Sequence, residues 1–148
     1  MKVKIKKLNS TAVIPSYAKE GDAGLDLIAI DRIKIEGEPF IRYKTGLAIE
    51  IPEGYVGLLF PRSSITNSDQ FFGNCVGVID SGYRGELEIR LKPSMRYPSE
   101  ASVPSVIYKK GDKVAQLIIL PIPYITLVES EELSDSSRGE GGFGSTGK

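Results

Sequence analysis

Two residues three positions apart, Asp80 and Tyr83, hold the plainest chemistry in this chain. They lie in the run Gly-Val-Ile-Asp-Ser-Gly-Tyr-Arg-Gly over residues 77–85. An apolar stretch, Val76 to Ile79, leads into Asp80 and the turn pair Ser81-Gly82. A second alternating stretch, Glu86 to Leu91, follows Gly85. Two strands about a short Gly-containing turn predict a β-hairpin, with the carboxylate and the phenol at its tip. A carboxylate on such a support can serve as a general base, and a neighbouring aromatic ring offers a platform for another ring. Aspartate also forms turns in its own right, so a purely structural Asp80 stays open at this point.

Other residues have the makings of an anion site. Pro61-Arg62-Ser63-Ser64 ends the apolar run Tyr55 to Phe60. One cation, two hydroxyls and free backbone N–H groups at a strand end make a credible oxyanion clamp. The same serines could equally cap a helix. Asp26 falls between Leu25 and Leu27 and should face away from both; Gln116 interrupts the apolar run Val114, Ala115, Leu117. Either could be an ordinary outer-face residue, and Asn74 an ordinary loop residue. The stretch 142–148, Gly-Phe-Gly-Ser-Thr-Gly-Lys, has the glycine and lysine spacing of a Walker A loop. No strand precedes it and no helix follows Lys148, so an ATPase reading is set aside. Arg138 could still grip two phosphate oxygens at once, and Phe143, alone among small residues, could stack on a base. Composition by itself reads this tail as solvated chain.

Composition narrows the chemistry. The 148 residues suit one domain with a real core. Lys plus Arg and Asp plus Glu both number 19, so no global positive field gathers nucleic acid and a polymer substrate is not expected; a membrane is not an expected partner either. There is no histidine, which removes His-based triads and zinc sites and leaves acid–base work to carboxylates. The single cysteine, Cys75, has no partner for an internal disulfide, suits a reducing interior, and is expected to be a small core residue. The start alternates lysine with apolar residues and has no signal-peptide core. The longest apolar stretch, Leu117 to Val128, is broken by Pro121 and Pro123 and is too short to span a bilayer.

The elements that must position these residues read as strands. Candidates are Val3 to Leu8, Leu25 to Ile30, Arg32 to Glu36, Thr45 to Ile51, Tyr55 to Phe60, Val76 to Ile79, Glu86 to Leu91, Val106 to Lys109 and Val114 to Ile122. Ser63 to Asp69 could form one turn of helix. Many short strands at regular spacing predict an all-β sandwich or barrel. From Glu129 onward Ser, Asp, Glu and Gly dominate, a composition that cannot bury enough surface to order itself.

Five stretches, in order, match the five-motif pattern of the trimeric dUTP diphosphatases (dUTPases). They are Ala23-Gly24-Leu25-Asp26-Leu27, Pro61-Arg62-Ser63-Ser64, Gly77 to Gly85, Gly111-Asp112-Lys113-Val114-Ala115-Gln116-Leu117, and Arg138 to Gly147. The chain resembles that family from about Pro15 to its C-terminus. The resemblance implies a jelly-roll-like β-barrel over residues 1–128, a homotrimer, and a flexible arm over 129–148 that closes on the active site. It implies hydrolysis of dUTP to dUMP and pyrophosphate, which lowers dUTP and supplies dUMP for thymidylate synthesis. Asp80 would activate water against the α-phosphorus, with Mg²⁺ on the triphosphate and Asp26 holding that metal through water. Arg62, Ser63, Ser64 and Gln116 would bind phosphates. Asn74, Gly77, Ile79 and Tyr83 would bind the nucleoside. Arg138 would meet the γ-phosphate and Phe143 the uracil, with Gly144 and Ser145 beside them. Three chains would share each site, in the cytoplasm or, for a viral chain, the host cell interior. Two positions depart from the pattern: Ser64 stands where glycine is usual, and Gly82 where an acidic residue is frequent. A dCTP deaminase, which shares the fold and an Arg-Ser-Ser segment, and a nucleotide-sensing binding protein are the rival readings. The Asp80/Tyr83 and Arg138/Phe143 pairs favour the diphosphatase.

Overall fold

A computed structural model of the chain describes residues 1–68, 70–93 and 108–142. Ten strands form in chain order: β1 (Lys4–Lys7), β2 (Leu25–Ile28), β3 (Asp31–Lys34), β4 (Ile41–Lys44), β5 (Leu47–Glu50), β6 (Tyr55–Phe60), β7 (Gln70–Phe72), β8 (Gly77–Ile79), β9 (Glu88–Pro93) and β10 (Lys113–Pro121). The helical turn expected after Arg62 is a 3₁₀ turn, Ser63–Asn67. Among the described residues no helix is long and apolar enough to cross a membrane.

The strands make two four-stranded antiparallel sheets, β2-β10-β6-β8 and β3-β4-β9-β7, and a ribbon β1-β5. Period-two alternation turns one face of each inward. In β9, Ile89 and Leu91 are buried while Arg90 stays exposed. Leu27, Leu59 and Leu117 from one sheet join Tyr43, Phe72, Ile89 and Leu91 from the other in one core, with Leu47 and Ile49 from the ribbon. This is the all-β, jelly-roll-like barrel that the pattern and the resemblance predict.

The predicted hairpin does not form. β8 pairs with β6, whereas β9 pairs with β4 and β7 in the opposite sheet. The tight turn is present, with Tyr83 N–H donating to the Asp80 carbonyl at 3.1 Å. Its return limb is drawn elsewhere. The Leu87 N–H bonds the Leu47 carbonyl at 2.8 Å, and the buried Thr45 hydroxyl donates to the Leu87 carbonyl at 2.7 Å. Local alternation specifies two strands here, but the long-range partners choose different sheets.

Two strands, β4 and β7, fall outside the predicted segments. The candidate strand Val106 to Lys109 lies partly outside the described residues, and its described part, Tyr108 and Lys109, is not in a strand. Cys75 is exposed rather than part of the core. It occupies a turn before β8 with φ of 60°, a left-handed conformation that removes it from the strand's alternation.

Candidate active site

The first cluster gathers where β6 ends. Pro61 and Arg62 carry the chain out of the sheet, and the neighbouring strand β10 sets Gln116 opposite both Phe60 and Asp26 of β2. Asp26, Arg62, Ser63 and Gln116 thereby line one cleft of about 280 Å³, floored by Ala23 and Gly24. Gly24 is needed as glycine, because a Cβ there would collide with the Gln116 amide. Gln116 Nε2 donates to the Pro61 carbonyl at 2.9 Å and fixes the amide at the cleft wall.

Asp26 is held from both sides. Arg62 Nε donates to its Oδ1 at 2.7 Å, and Lys113 Nζ lies 2.7 Å from its Oδ2. Burial alone would raise the Asp26 carboxyl. Hydrogen bonds from Lys113 and Arg62, and their charges, outweigh burial and hold it below the ordinary carboxylate value. With Lys113 bonded to Asp26 at its margin, the cleft sets two cations, Arg62 and Lys113, against two carboxylates, Asp26 and Asp22. Ser63 lines the cleft, but Ser64 does not, and its buried hydroxyl finds no partner among the described residues. Neither serine caps the 3₁₀ turn; the cap position is Arg62, with no side-chain hydrogen bond.

The second cluster lies between the diverging strands β8 and β9. Ile79, Asp80 and Tyr83 line a cleft of about 200 Å³ with Glu86, Glu88 and Arg90. Asn74 and Gly77 line an adjoining cleft of about 460 Å³ that also includes Glu88 and Arg90, so the two make one groove. Asp80 is exposed, and no hydrogen-bond donor among the described residues reaches its carboxylate. Tyr83 is held rigidly: its hydroxyl donates to the Glu86 carbonyl at 3.0 Å, and its ring lies over Gly85, where any Cβ would overlap it. Arg84 stiffens the same turn by donating to the Ser81 and Tyr83 carbonyls at 2.6 and 2.9 Å. At the groove's other wall Arg42 and Arg90 sit directly opposite each other in β4 and β9. That repulsion is relieved by Glu38 and Glu88 and by the Phe40 ring, 5.6 and 5.0 Å from the two guanidinium carbons.

β8 is the last strand of its sheet. One edge of its backbone bonds β6, and along the other, which borders the groove, its N–H and C=O groups have no strand partner among the described residues.

The two clusters are not brought together by one chain. Ile79 faces Gly57 of β6, so Asp80 lies near the start of β6, while Arg62 lies beyond its end. The six residues between those levels span roughly 20 Å of extended chain. No lining residue is common to the two sites. Arg138 is exposed on the segment after β10, and among the described residues its Nε donates to the Gly141 carbonyl at 2.8 Å. Phe143, Gly144 and Ser145 lie outside the described residues.

Lys113, which bonds Asp26 beside the cleft, is a residue that residue-type reasoning passed over. Its signal was its place in the stretch that contains Gln116.

Comparison with known proteins identifies the family. The family model described as dUTPase matches residues 10–147. A deoxyuridine 5'-triphosphate nucleotidohydrolase of Hydrogenobaculum sp. is 41% identical over 150 residues, covering 99% of each chain. Among solved structures, the Staphylococcus bacteriophage 80alpha dUTPase with dUpNHpp aligns with a TM-score of 0.84 at 32% identity, over 99% of each chain. A mutant dUTPase of S. aureus phage phi11, in which coordination of a structural Mg(II) ion is described, aligns with a TM-score of 0.72 at 30% identity, over 89% of this chain and 98% of that one. With the family model and a full-length relative both matching across almost its whole length, the chain belongs to the dUTPase family.

Proposed function

We propose that this protein hydrolyses dUTP to dUMP and pyrophosphate in sites shared between three copies of the chain. The observation that carries the reading is the placement of Asp80 and Arg62 at opposite ends of β6. A nucleoside held beside Asp80 could not send its triphosphate to Arg62 of the same chain. A second copy supplies the Arg62 cleft, and a third the arm. The segment after β10 supports assembly: Tyr124, Ile125, Leu127 and Val128 are between 74% and 88% exposed, an apolar run that water disfavours.

Deoxyuridine sits in the groove between β8 and β9. Uracil presents N3–H as donor and O4 as acceptor, and the free edge of β8 offers complementary C=O and N–H groups. Cytosine reverses both polarities and would leave buried groups unpaired, at about 1–3 kcal/mol each. The ring of Tyr83, locked over Gly85, packs under the sugar and excludes a 2′-hydroxyl. Asp80 accepts a proton from the water it aims at the α-phosphorus. Aspartate is a weak base at neutral pH, so positioning carries much of the effect. Arg62, Ser63 and Gln116 take phosphate oxygens, and Arg138, Phe143, Gly144 and Ser145 close over the nucleotide.

The donor set also bears on magnesium. Among the described residues no three His, Cys, Asp or Glu side chains gather to hold a metal. Asp26 is a lone carboxylate between two cations, yet each of its oxygens keeps a lone pair for a water. That suits Mg²⁺ carried in on phosphate oxygens with its own waters, reached by Asp26 only through water. Bound there, the ion neutralises charge on the triphosphate.

The test is a product assay on the five common deoxynucleoside triphosphates with magnesium present. The expected result is dUMP and pyrophosphate from dUTP alone. Ammonia from dCTP, or no turnover of dUTP, would overturn the reading.

A further inference from the structure

The geometry points to Lys113 as a positioning residue of the phosphate cleft: it occupies Oδ2 of Asp26 and so keeps Arg62 from spending its guanidinium on that carboxylate. The inference deepens the dUTPase reading and rests on it for the identity of the anion.

An arginine beside a carboxylate ordinarily forms two parallel hydrogen bonds, one to each oxygen. Arg62 makes only one to Asp26, from Nε to Oδ1. The second oxygen is taken by Lys113 at 2.7 Å. The two terminal nitrogens of Arg62 therefore have no hydrogen-bond partner among the described residues, in a cleft that Arg62 itself lines. Those are the nitrogens that would fork onto phosphate oxygens.

Lys113 reaches this place through a backbone irregularity. Gln116 pairs with Asp26, Ala115 with Leu27, and Lys113 with Ile28, so β10 has one residue more than β2 between Lys113 and Ala115. In a regular strand, residues three apart point to opposite faces. The bulge inserts the extra residue and brings Lys113 to the face of Gln116, Asp26 and Ile28. Val114 and Ala115 are consecutively buried, as the bulge requires. The cluster is built, and the lysine's ammonium, a compact donor without a fork, fills one carboxylate oxygen and no more.

The experiment uses the full chain with Lys113→Met, Lys113→Gln and Lys113→Arg variants. Affinity for inorganic tripolyphosphate is measured by calorimetry without metal, with deoxyuridine as the control ligand. In the Met and Gln variants Arg62 should swing onto both oxygens of Asp26. Tripolyphosphate affinity should then fall about tenfold, the scale of one charge-assisted hydrogen bond. Deoxyuridine affinity and Tm should hold. KM for dUTP should rise more than kcat falls, and Lys113→Arg should recover most of the affinity. Adding Asp26→Asn to Lys113→Met removes the competing carboxylate and should also restore tripolyphosphate binding. A crystal structure of Lys113→Met is expected to show Arg62 bidentate on Asp26. Unchanged tripolyphosphate affinity in both neutral variants, or a single Nε contact retained in that crystal, would overturn the role of Lys113. Wild-type failure to hydrolyse dUTP would instead remove the dUTPase reading and leave the anion cleft standing.

Discussion

If Asp80 and Arg62 serve the same reaction from different chains, two inactive proteins should make an active one. Asp80→Asn removes the base, a loss of roughly 10²–10⁴-fold. Arg62→Ala removes charge-assisted hydrogen bonds worth about 1.5–3 kcal/mol, or roughly 10–100-fold. Each variant alone should therefore fall to about a tenth of wild type or less. In trimers assembled at random from equal amounts of both, a site is complete when an Arg62→Ala chain supplies its Asp80 and an Asp80→Asn chain supplies its Arg62. With head-to-tail contacts, each condition holds about half the time, so about a quarter of wild-type activity should return. A single-chain site gives only the mean of the two parents, because every chain lacks one group. The ~20 Å of β6 between the two residues makes the distinction sharp. The assay is pyrophosphate release after co-refolding, with native mass spectrometry confirming mixed trimers. Mixed trimers no more active than the parents' average would refute the shared site.

Three further outcomes follow from particular residues. Removing everything after Ser137 should leave the trimer intact by size-exclusion chromatography while nearly abolishing pyrophosphate release, because Arg138 and the ring of Phe143 go with the arm. Ser64→Ala should raise stability by about 1 kcal/mol, since a buried hydroxyl without a partner costs about 1–3 kcal/mol; a thermal melt should shift up by about 2–6 °C, and a fall would mean that the hydroxyl is bonded in the assembled enzyme. Asp26→Asn should destabilise at neutral pH. The folded carboxyl lies below the ordinary value of 3.8, so its contribution is full above that value and is lost as pH falls through the folded one. Denaturation curves of the two proteins should separate at pH 7 and draw together only as pH falls from 3.8 through the lower folded value; a constant gap down to that acid range would count against ionised Asp26 as the stabilising form.

How far the site was legible in the sequence depends on which physical term decides each feature. β6 runs from Tyr55 to Phe60 as expected, because an apolar run between Gly54 and Pro61 needs no distant partner to declare itself. Asp26, Arg62, Ser63 and Gln116, each singled out by residue type and motif, line one cleft. β4 was missed because two of its four residues, Arg42 and Lys44, are charged. Those charges are tolerated only through Glu38 and Glu86, contacts that local pattern does not contain.

The hairpin error carries the most function. Alternation marks a strand but not its neighbour, and a Gly-containing turn between two strands normally means that they pair. Here Leu87 binds Leu47 instead, and the strands part. Had β8 and β9 paired, the edge of β8 would have spent its N–H and C=O groups on the ladder, and the groove that joins Asn74 and Gly77 to Asp80 and Tyr83 would have closed. The parting leaves backbone donors and acceptors free beside a rigid tyrosine, where a flat heterocycle can meet both. An antiparallel ladder restored between β8 and β9, for instance by shortening the Arg84 to Leu87 limb, should therefore abolish deoxyuridine binding while sparing tripolyphosphate binding at the Arg62 cleft.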